Sequence, residues 1–356
     1  MNVDLTTLGW SEFFEANFKS YAEQGYTCGR VALEHKNLFR VYTQHGEVLA
    51  EISGKLRHEA TSRRDLPAVG DWVVFRAQSE QDRVMIHAVL PRRTNFARKI
   101  AGSRTEEQIV GANVDTLFLL TSLNQDFSLR RMERYLIIAW ESGANPIIIL
   151  SKSDLSDRVA GRINDVQAVA RGVPIHAISV VTGTGLQDLA QYFKRGQTVA
   201  LLGSSGVGKS TLINYLAGVD HLKVQTVREH DDRGRHTTTH RELVVLPTGG
   251  LVLDTPGMRE LQLFDGGLQS VFDDIEALAG RCFFSDCQHQ DEPRCVVREA
   301  LAAGTIDAER FQSYEKLQKE LKYQARRRDK LSEIEERKKW KKLSRLASER
   351  ARLKRR

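Results

Sequence analysis

No apolar run in this 356-residue chain approaches the roughly 18 residues that a membrane-spanning helix needs. The start, Met1-Asn2-Val3-Asp4, lacks the basic residues and greasy stretch of a secretory signal, so no export is expected. Cysteine is scarce. Four in the whole chain do not make a disulfide scaffold, which points to a reducing cytosol. Internal repeats and long Gly/Ser linkers are also missing. What is present suits folded domains: 41% hydrophobic and 28% charged residues exclude a wholly disordered or collagen-like chain. At about 150 residues per domain, the length suits two or three domains.

The net charge of +7 is unevenly placed. Residues 321–356 carry 16 Lys plus Arg against 5 Asp plus Glu, and the other 320 residues carry 37 against 41. The basicity belongs to the tail, which suggests a polyanion partner bound through counterion release. A solvated basic helix is the bland alternative. Acidic lipid fits less well, because the tail has few bulky apolar residues for an interfacial helix.

Three compositional regimes follow one another. Trp10, Phe13, Phe14, Phe18 and Tyr21 stand at helical spacing over residues 10–24, giving one greasy face for docking on a neighbouring domain. Across residues 29–92, Val31/Leu33, Phe39/Val41, Val48/Ala50/Ile52, Val73–Phe75 and Val84–Leu90 read as about five short strands, with a turn at His45-Gly46. Five strands in so short a span suit an OB-type barrel. Aromatics there (Trp72, Phe75, Phe39) are candidates for stacking on RNA, although core positions explain them as well. From about residue 114, apolar runs at 115–121, 146–150, 174–178, 198–202, 243–246 and 251–253 mostly alternate with helical stretches. That pattern is a parallel sheet covered by helices on both faces. Beyond residue 266 the strands stop, and a Cys/His cluster leads into a long charged helical region.

Gly203-Ser204-Ser205-Gly206-Val207-Gly208-Lys209-Ser210 fits G-x-x-x-x-G-K-[ST] between an expected strand and an expected helix from Thr211 to Ala217. The glycines let backbone N–H groups wrap phosphate oxygens at a helix N-terminus. Lys209 is expected at the β and γ phosphates and Ser210 on Mg²⁺. A chance Gly-rich turn would not carry the whole motif in that context. Asp254-Thr255-Pro256-Gly257 follows the run ending at Leu253. Asp254 can hold Mg²⁺, directly or through water, and Gly257 can donate to a γ-phosphate. Between these motifs lies Arg233-Gly234-Arg235-His236-Thr237-Thr238-Thr239. A threonine there can close the Mg²⁺ shell, Thr237 first and Thr238 second, unless the stretch is merely a polar loop.

Base reading comes from two further loops. In Ser151-Lys152-Ser153-Asp154, the Asp154 carboxylate can accept from guanine N1 and N2, which adenine cannot match, and Lys152 can lie along the base. Ser179-Val180 ends the next strand, where backbone N–H groups can reach guanine O6. Both loops precede the P-loop, the reverse of the usual order, so the chain reads as a circularly permuted GTPase. Cys282, Cys287, His289 and Cys295 give C-x4-C-x-H-x5-C, a four-ligand set suited to structural Zn²⁺. Buried free thiols beside an incidental histidine are the plain alternative. Arg281, Arg294 and Arg298 nearby can touch RNA phosphates or stay solvated, and Cys28, far away in the barrel, reads as core.

Across essentially the whole chain these motifs resemble the ribosome small-subunit-dependent GTPase A family, circularly permuted GTPases of late small-subunit assembly. The resemblance implies a GTP hydrolase acting on the small ribosomal subunit and its rRNA, with turnover stimulated by the subunit. It rests on Ser151–Asp154, Ser179–Val180, Gly203–Ser210, His236–Thr239 and Asp254–Gly257. One residue departs: the family's base-reading motif normally begins with Asn, whose carboxamide also ties that loop to the P-loop, and here it is Ser151. Retained GTP preference with weaker affinity is expected. Met258 follows the switch glycine and cannot orient water as a glutamine would, so His236 is expected to do so, as the resemblance also implies.

The expected architecture is multidomain α/β: residues 1–95 an N-terminal helix and OB-type barrel, 96–265 the permuted P-loop GTPase domain, and 266–356 a helical zinc-binding domain with a basic tail. The expected catalytic residues are His236, Lys209 and Thr237. A cytoplasmic monomer holding one structural Zn²⁺, with Mg²⁺ and GTP or GDP and no membrane partner, completes the expectation. A nucleotide-gated binder without turnover is the main competitor, since Met258 and Ser151 leave room for it. A P-loop ATPase or kinase comes next, and Asp154 and the permuted order argue against it. Because switch II runs on toward the Cys/His cluster in sequence, a change at the γ-phosphate is expected to reach that module.

Overall fold

The alternating N-terminal segments become strands that close on themselves. A computed structural model describes residues 4–35, 38–76, 83–99, 107–218, 241–254, 267–323 and 326. Contacts divide the chain into one unit of residues 1–100 with 106–262 and a second of 101–105 with 263–356.

In the first unit, helix α1 (Glu12–Ala22) turns part of the expected aromatic face inward, burying Phe14 while Phe13 stays exposed. Its target is the barrel itself: the rings of Trp10 and Phe14 lie 4.6 and 5.7 Å from that of Trp72. The barrel comprises β1 (Thr27–His35), β2 (Leu38–Thr43), β3 (Gly46–Ile52), the short helix α2 (Gly54–Glu59), β4 (Trp72–Phe75) and β5 (Arg83–Val89). Strand β1 makes closure possible. Its first half, Thr27–Arg30, pairs with β4, and its second half pairs with β2 across a register shift after Val31. Parallel β3–β5 and antiparallel β4–β5 pairings complete the ring of an OB-type barrel. Gly29 sits where β1 and β2 crowd. A Cβ there would stand 2.6 Å from Val41 Cγ1 and 2.7 Å from the Tyr42 carbonyl oxygen, so only glycine fits. Trp72, Phe75 and Phe39 are buried, and none offers a face to RNA. Cys28 is buried too, and burial, aided by Glu15, pushes its thiol up to about 12, so it is plain core as expected.

Strands β6 (Asn95–Lys99) and β7 (Glu107–Ala112) pair as a two-stranded sheet that the apolar pattern did not reveal. Charged residues dominate their paired ends, and the core contribution rests on Phe96, Ile109 and a few neighbours.

The GTPase half follows as β8 (Thr116–Ser122), α3 (Leu129–Ser142), β9 (Asn145–Ser151), α4 (Val159–Val169), β10 (Ile175–Ala177), β11 (Thr198–Gly203), α5 (Lys209–Ala217), β12 (Glu242–Val245) and β13 (Leu251–Asp254). The sheet order is β10-β9-β8-β11-β13-β12, all parallel except β12. Strands β8 and β11 are buried along their whole length, as a sheet covered on both faces requires. Leu212 and Ile213 of α5 join Phe118, Ile149, Leu201 and Val252 in one core, while α3 packs on β8 and β9.

Barrel and GTPase sheet are one continuous sheet, joined where β1 pairs with β12 at Leu33 and Glu242. Charges brace the seam: Arg40 Nη2 meets Glu242 Oε1 at 3.0 Å, and Arg241 meets Glu34 at 3.8 Å. Beside it, the fully buried Arg30 donates to the carbonyls of Gly70 (3.1 Å), Leu8 (2.5 Å) and Asn113 (2.8 Å). Burial lowers its pKa to about 10, partly offset by Asp115 and Asp71, which leaves it charged at neutral pH.

The second unit is helical, as expected beyond residue 266: α6 (Gly267–Val271), α7 (Asp273–Ala279), α8 (Val296–Ala302) and a helix across 308–323. Phe272, Ile275, Val297 and Tyr314 form its small core. Arg310 spans it, reaching Asp274 Oδ1 at 3.0 Å and the Val271 carbonyl at 2.8 Å.

Replacing Arg30 by Met leaves the Leu8 and Asn113 carbonyls without their buried donor, while Gly70 keeps the Asn113 amide at 3.1 Å. We expect unfolding free energy to fall by about 3 kcal/mol in urea titrations. An unchanged midpoint would show that the fold does not depend on this side chain.

Candidate functional site

The five parallel strands of the GTPase sheet all end at one edge, where ligands of such sheets bind. Strand β11 delivers the P-loop there and α5 begins at Lys209. Gly206 (φ +73°) and Gly208 (φ +102°) take the left-handed backbone that aims successive N–H groups into one hollow. Ser204 and Ser205 precede them and Val207 lies between them, Ser210 and Thr211 follow in the first turn of α5, and the Lys209 ammonium donates to the carbonyls of Gly203 (2.8 Å) and Ser204 (2.7 Å).

The first of the two loops expected to read the base meets this loop directly. Ser151 closes β9, is buried, and donates its hydroxyl to the Val207 carbonyl at 2.7 Å. A serine therefore makes the tie between the two loops that the family resemblance assigns to asparagine. Lys152 adopts a left-handed backbone (φ +58°) that turns the chain sharply, and Asp154 follows in a single exposed 3-10 turn. The second loop is held to the first by the Ser153 N–H on the Ile178 carbonyl at 3.0 Å. Ser179 is buried, its hydroxyl accepting from the Thr182 N–H at 3.2 Å, with Val180 half-buried beside it. Asp254 ends β13 alongside β11, in register Ala200 to Leu253. The structure thus gathers Ser151–Asp154, Ser179–Val180, Gly203–Thr211 and Asp254 at one sheet edge. His236, Thr237, Thr238 and Gly257 lie outside the described residues.

One neighbour was missed in the sequence. Asp126, in the loop after β8, accepts a short hydrogen bond from the Ser204 hydroxyl and an Arg131 guanidinium N–H at 2.8 Å. Arg131 balances a carboxylate that would otherwise repel phosphates. The available signal was Asn124-Gln125-Asp126, a polar cluster just past an apolar strand that neighbours the P-loop strand.

In the helical unit, Cys282, Cys287, His289 and Cys295 place their ligand atoms within 4.8 Å of one another. His289 Nδ1 stands 3.4 Å from the sulfurs of Cys287 and Cys295 and 3.7 Å from that of Cys282, and the Cys282–Cys295 sulfurs are 3.9 Å apart. A tetrahedral ion with metal–sulfur bonds of about 2.3 Å and metal–nitrogen bonds of about 2.0 Å requires edges of roughly 3.5–3.8 Å. The four residues fit one such ion. His289 reaches it through a left-handed backbone (φ +61°).

Ser151→Ala removes the tie between base loop and P-loop. Losing one such hydrogen bond, about 1 kcal/mol, should weaken guanine-nucleotide binding about fivefold in a fluorescent-analogue titration. Unchanged affinity would show the tie to be idle.

Known proteins share this arrangement. The family profile described as RsgA GTPase matches residues 89–264. The chain is 46% identical over 352 residues to the small ribosomal subunit biogenesis GTPase RsgA of Opitutus terrae, covering 96% of each chain. It is 48% identical over 324 residues to RsgA 2 of Lactiplantibacillus plantarum, covering 91% of each. Its fold is similar to the crystal structure of YjeQ from Thermotoga maritima, with a TM-score of 0.61 and 29% identity, covering 83% of this chain and 98% of that one. A P-loop read through two upstream base loops, a five-stranded barrel and a Cys3His cluster accord with these likenesses, and the chain belongs to the RsgA GTPase family.

Proposed function

We propose that this chain is a GTP hydrolase that binds the small ribosomal subunit, acts in its late assembly, and turns over faster on the subunit. The observation that carries this reading is the hydrogen bond from Ser151 to the P-loop, which couples a guanine-reading loop to a phosphate-binding loop. Its relatives are named as small ribosomal subunit biogenesis GTPases, which supplies the partner. Residues 96–265 carry the chemistry, and residues 1–95 and 266–356 grip rRNA. The protein works as a cytoplasmic monomer. Among the described residues, no helix is long and apolar enough to cross a membrane.

Asp154 selects guanine and Lys152 lies along the base, while Ser179 and Val180 present backbone to O6. Gly203–Thr211 enclose the phosphates, and Lys209 leaves its loop carbonyls to neutralise the β and γ oxygens. Ser210 and Thr237 offer hydroxyls and Asp254 a carboxylate, hard oxygen donors suited to Mg²⁺. That ion, when bound, neutralises charge on the phosphates. Gly257 donates to the γ-phosphate. His236 orients the attacking water in place of the glutamine that Met258 replaces. The Cys3His set would hold a structural Zn²⁺ through four protein ligands, which would stabilise a unit whose own core is small.

His236→Ala should keep GTP binding within about twofold while subunit-stimulated turnover falls at least about a hundredfold, the lower end of what one general base contributes. Unchanged turnover would remove His236 from the mechanism. Elemental analysis should find one zinc per chain, with Cys287→Ser reducing it and lowering the melting temperature of the helical unit. Metal-free protein with the same melting behaviour would contradict the zinc assignment.

A further inference from the structure

The hydroxyl of Ser151 has a single proton to donate. It points to the Val207 carbonyl at 2.7 Å, with the Thr121 carbonyl 3.4 Å away, and the side chain is buried. That proton is committed to the protein's own backbone and is not available to a base. Guanine offers one acceptor beyond those assigned to the two base loops: N7, beside O6 on its major-groove edge. Asp154 accounts for N1 and N2 and the Ser179–Val180 backbone for O6, so N7 needs a donor from elsewhere.

The order of strands along the site edge, β10-β9-β8-β11, indicates where that donor stands. Strands β9 and β10 lead into the base loops and β11 into the P-loop, with β8 between them. A nucleotide lying along this edge has its phosphates at β11 and N1, N2 and O6 at β9 and β10. N7 belongs to the ring that carries the ribose, so it comes toward the loop after β8. That loop is fastened on both sides. The Leu123 N–H donates to the Ser151 carbonyl at 2.9 Å, and Asp126 accepts from the Ser204 hydroxyl. Asn124 stands between the two fastenings and is exposed. Its Oδ1 accepts from the Ser122 hydroxyl at 2.7 Å and from the Asp126 backbone N–H at 3.0 Å. A backbone N–H can only donate, which fixes the carboxamide with its oxygen toward the loop. The Asn124 NH2 group, with two protons to donate, makes no hydrogen bond among the described residues.

We propose that Asn124 donates to guanine N7, the contact that Ser151 cannot make. Adenine carries the same N7, so this bond adds affinity and fixes the tilt of the base, while Asp154 retains the choice of guanine. The inference rests on the reading of this edge as a guanine-nucleotide site and adds to it a residue on a third strand.

The test is calorimetric titration of the full chain with GDP and with 7-deaza-GDP, which has the same charge and replaces N7 by a C–H. Wild-type protein should bind GDP about fivefold more tightly, the worth of one neutral hydrogen bond. Asn124→Asp keeps an oxygen for Ser122 and Asp126 and lacks the NH2, so it should bind the two ligands equally. Any repulsion from its new carboxylate cancels in the ratio, because the ligands carry equal charge. Asn124→Ala should lose the preference as well, whereas Ser151→Ala should weaken both ligands and keep the fivefold ratio. Equal binding of both ligands by wild-type protein, or a preference that survives Asn124→Asp, would overturn the proposal. So would a preference that disappears in Ser151→Ala. If GDP still binds more tightly than ADP in those cases, the guanine reading stands without Asn124. Wild-type protein that binds GDP no better than ADP would overturn the guanine reading itself and this inference with it.

Discussion

Strand β1 belongs to two structures at once. Its first residues close the barrel against β4, its later ones pair with β2, and Leu33 meets Glu242 of the GTPase sheet. A strand held on both sides cannot slip by one residue without turning its buried side chains outward. The Arg40–Glu242 and Arg241–Glu34 pairs brace the same seam, and Arg30, on the same strand, fastens three separate backbone stretches. Strand β12 starts within a few residues of the sequence segment that carries His236 and Thr237. Any force on the barrel therefore enters the chain close in sequence to residues 236–237. That follows from covalent connection and sheet pairing, with no need for a longer chain of side chains.

At the nucleotide edge, the decisive bond is small. A loop that selects a base and a loop that holds phosphates must keep a fixed separation if guanine is to position the γ-phosphate for attack. The Ser151 hydroxyl fixes it by donating to the Val207 carbonyl. Asp126 fixes the other end of the same loop through Ser204, with Arg131 balancing its charge. The P-loop is thus held from two directions, by Ser151 at Val207 and by Asp126 at Ser204.

Much of this was legible in the sequence, for identifiable reasons. Every barrel strand and every strand of the GTPase sheet announced itself through period-two alternation or a short apolar run, since one or both faces had to be buried. The P-loop and the Cys3His spacing were legible because their chemistry permits little variation. The hairpin of β6 and β7 was not, because charged residues mask its alternation. Nor were Asp126 and Arg30, whose partners lie up to 83 residues away and include backbone carbonyls that leave no trace in side-chain pattern. Trp72, Phe75 and Phe39 illustrate a further limit. Composition identifies aromatics suited to stacking, and only packing separates those in the core from those, such as Tyr26 and His87, that line a cavity.

The central claim is that guanine reading, phosphate binding and a ribosomal partner meet in one coupled machine. Its most direct test is steady-state hydrolysis of GTP and of ATP by purified protein, with and without small ribosomal subunits. The account predicts slow GTP turnover that rises at least tenfold on the subunits, while ATP turnover stays at background. Equal turnover of both nucleotides, or GTP turnover indifferent to the subunits, would contradict it.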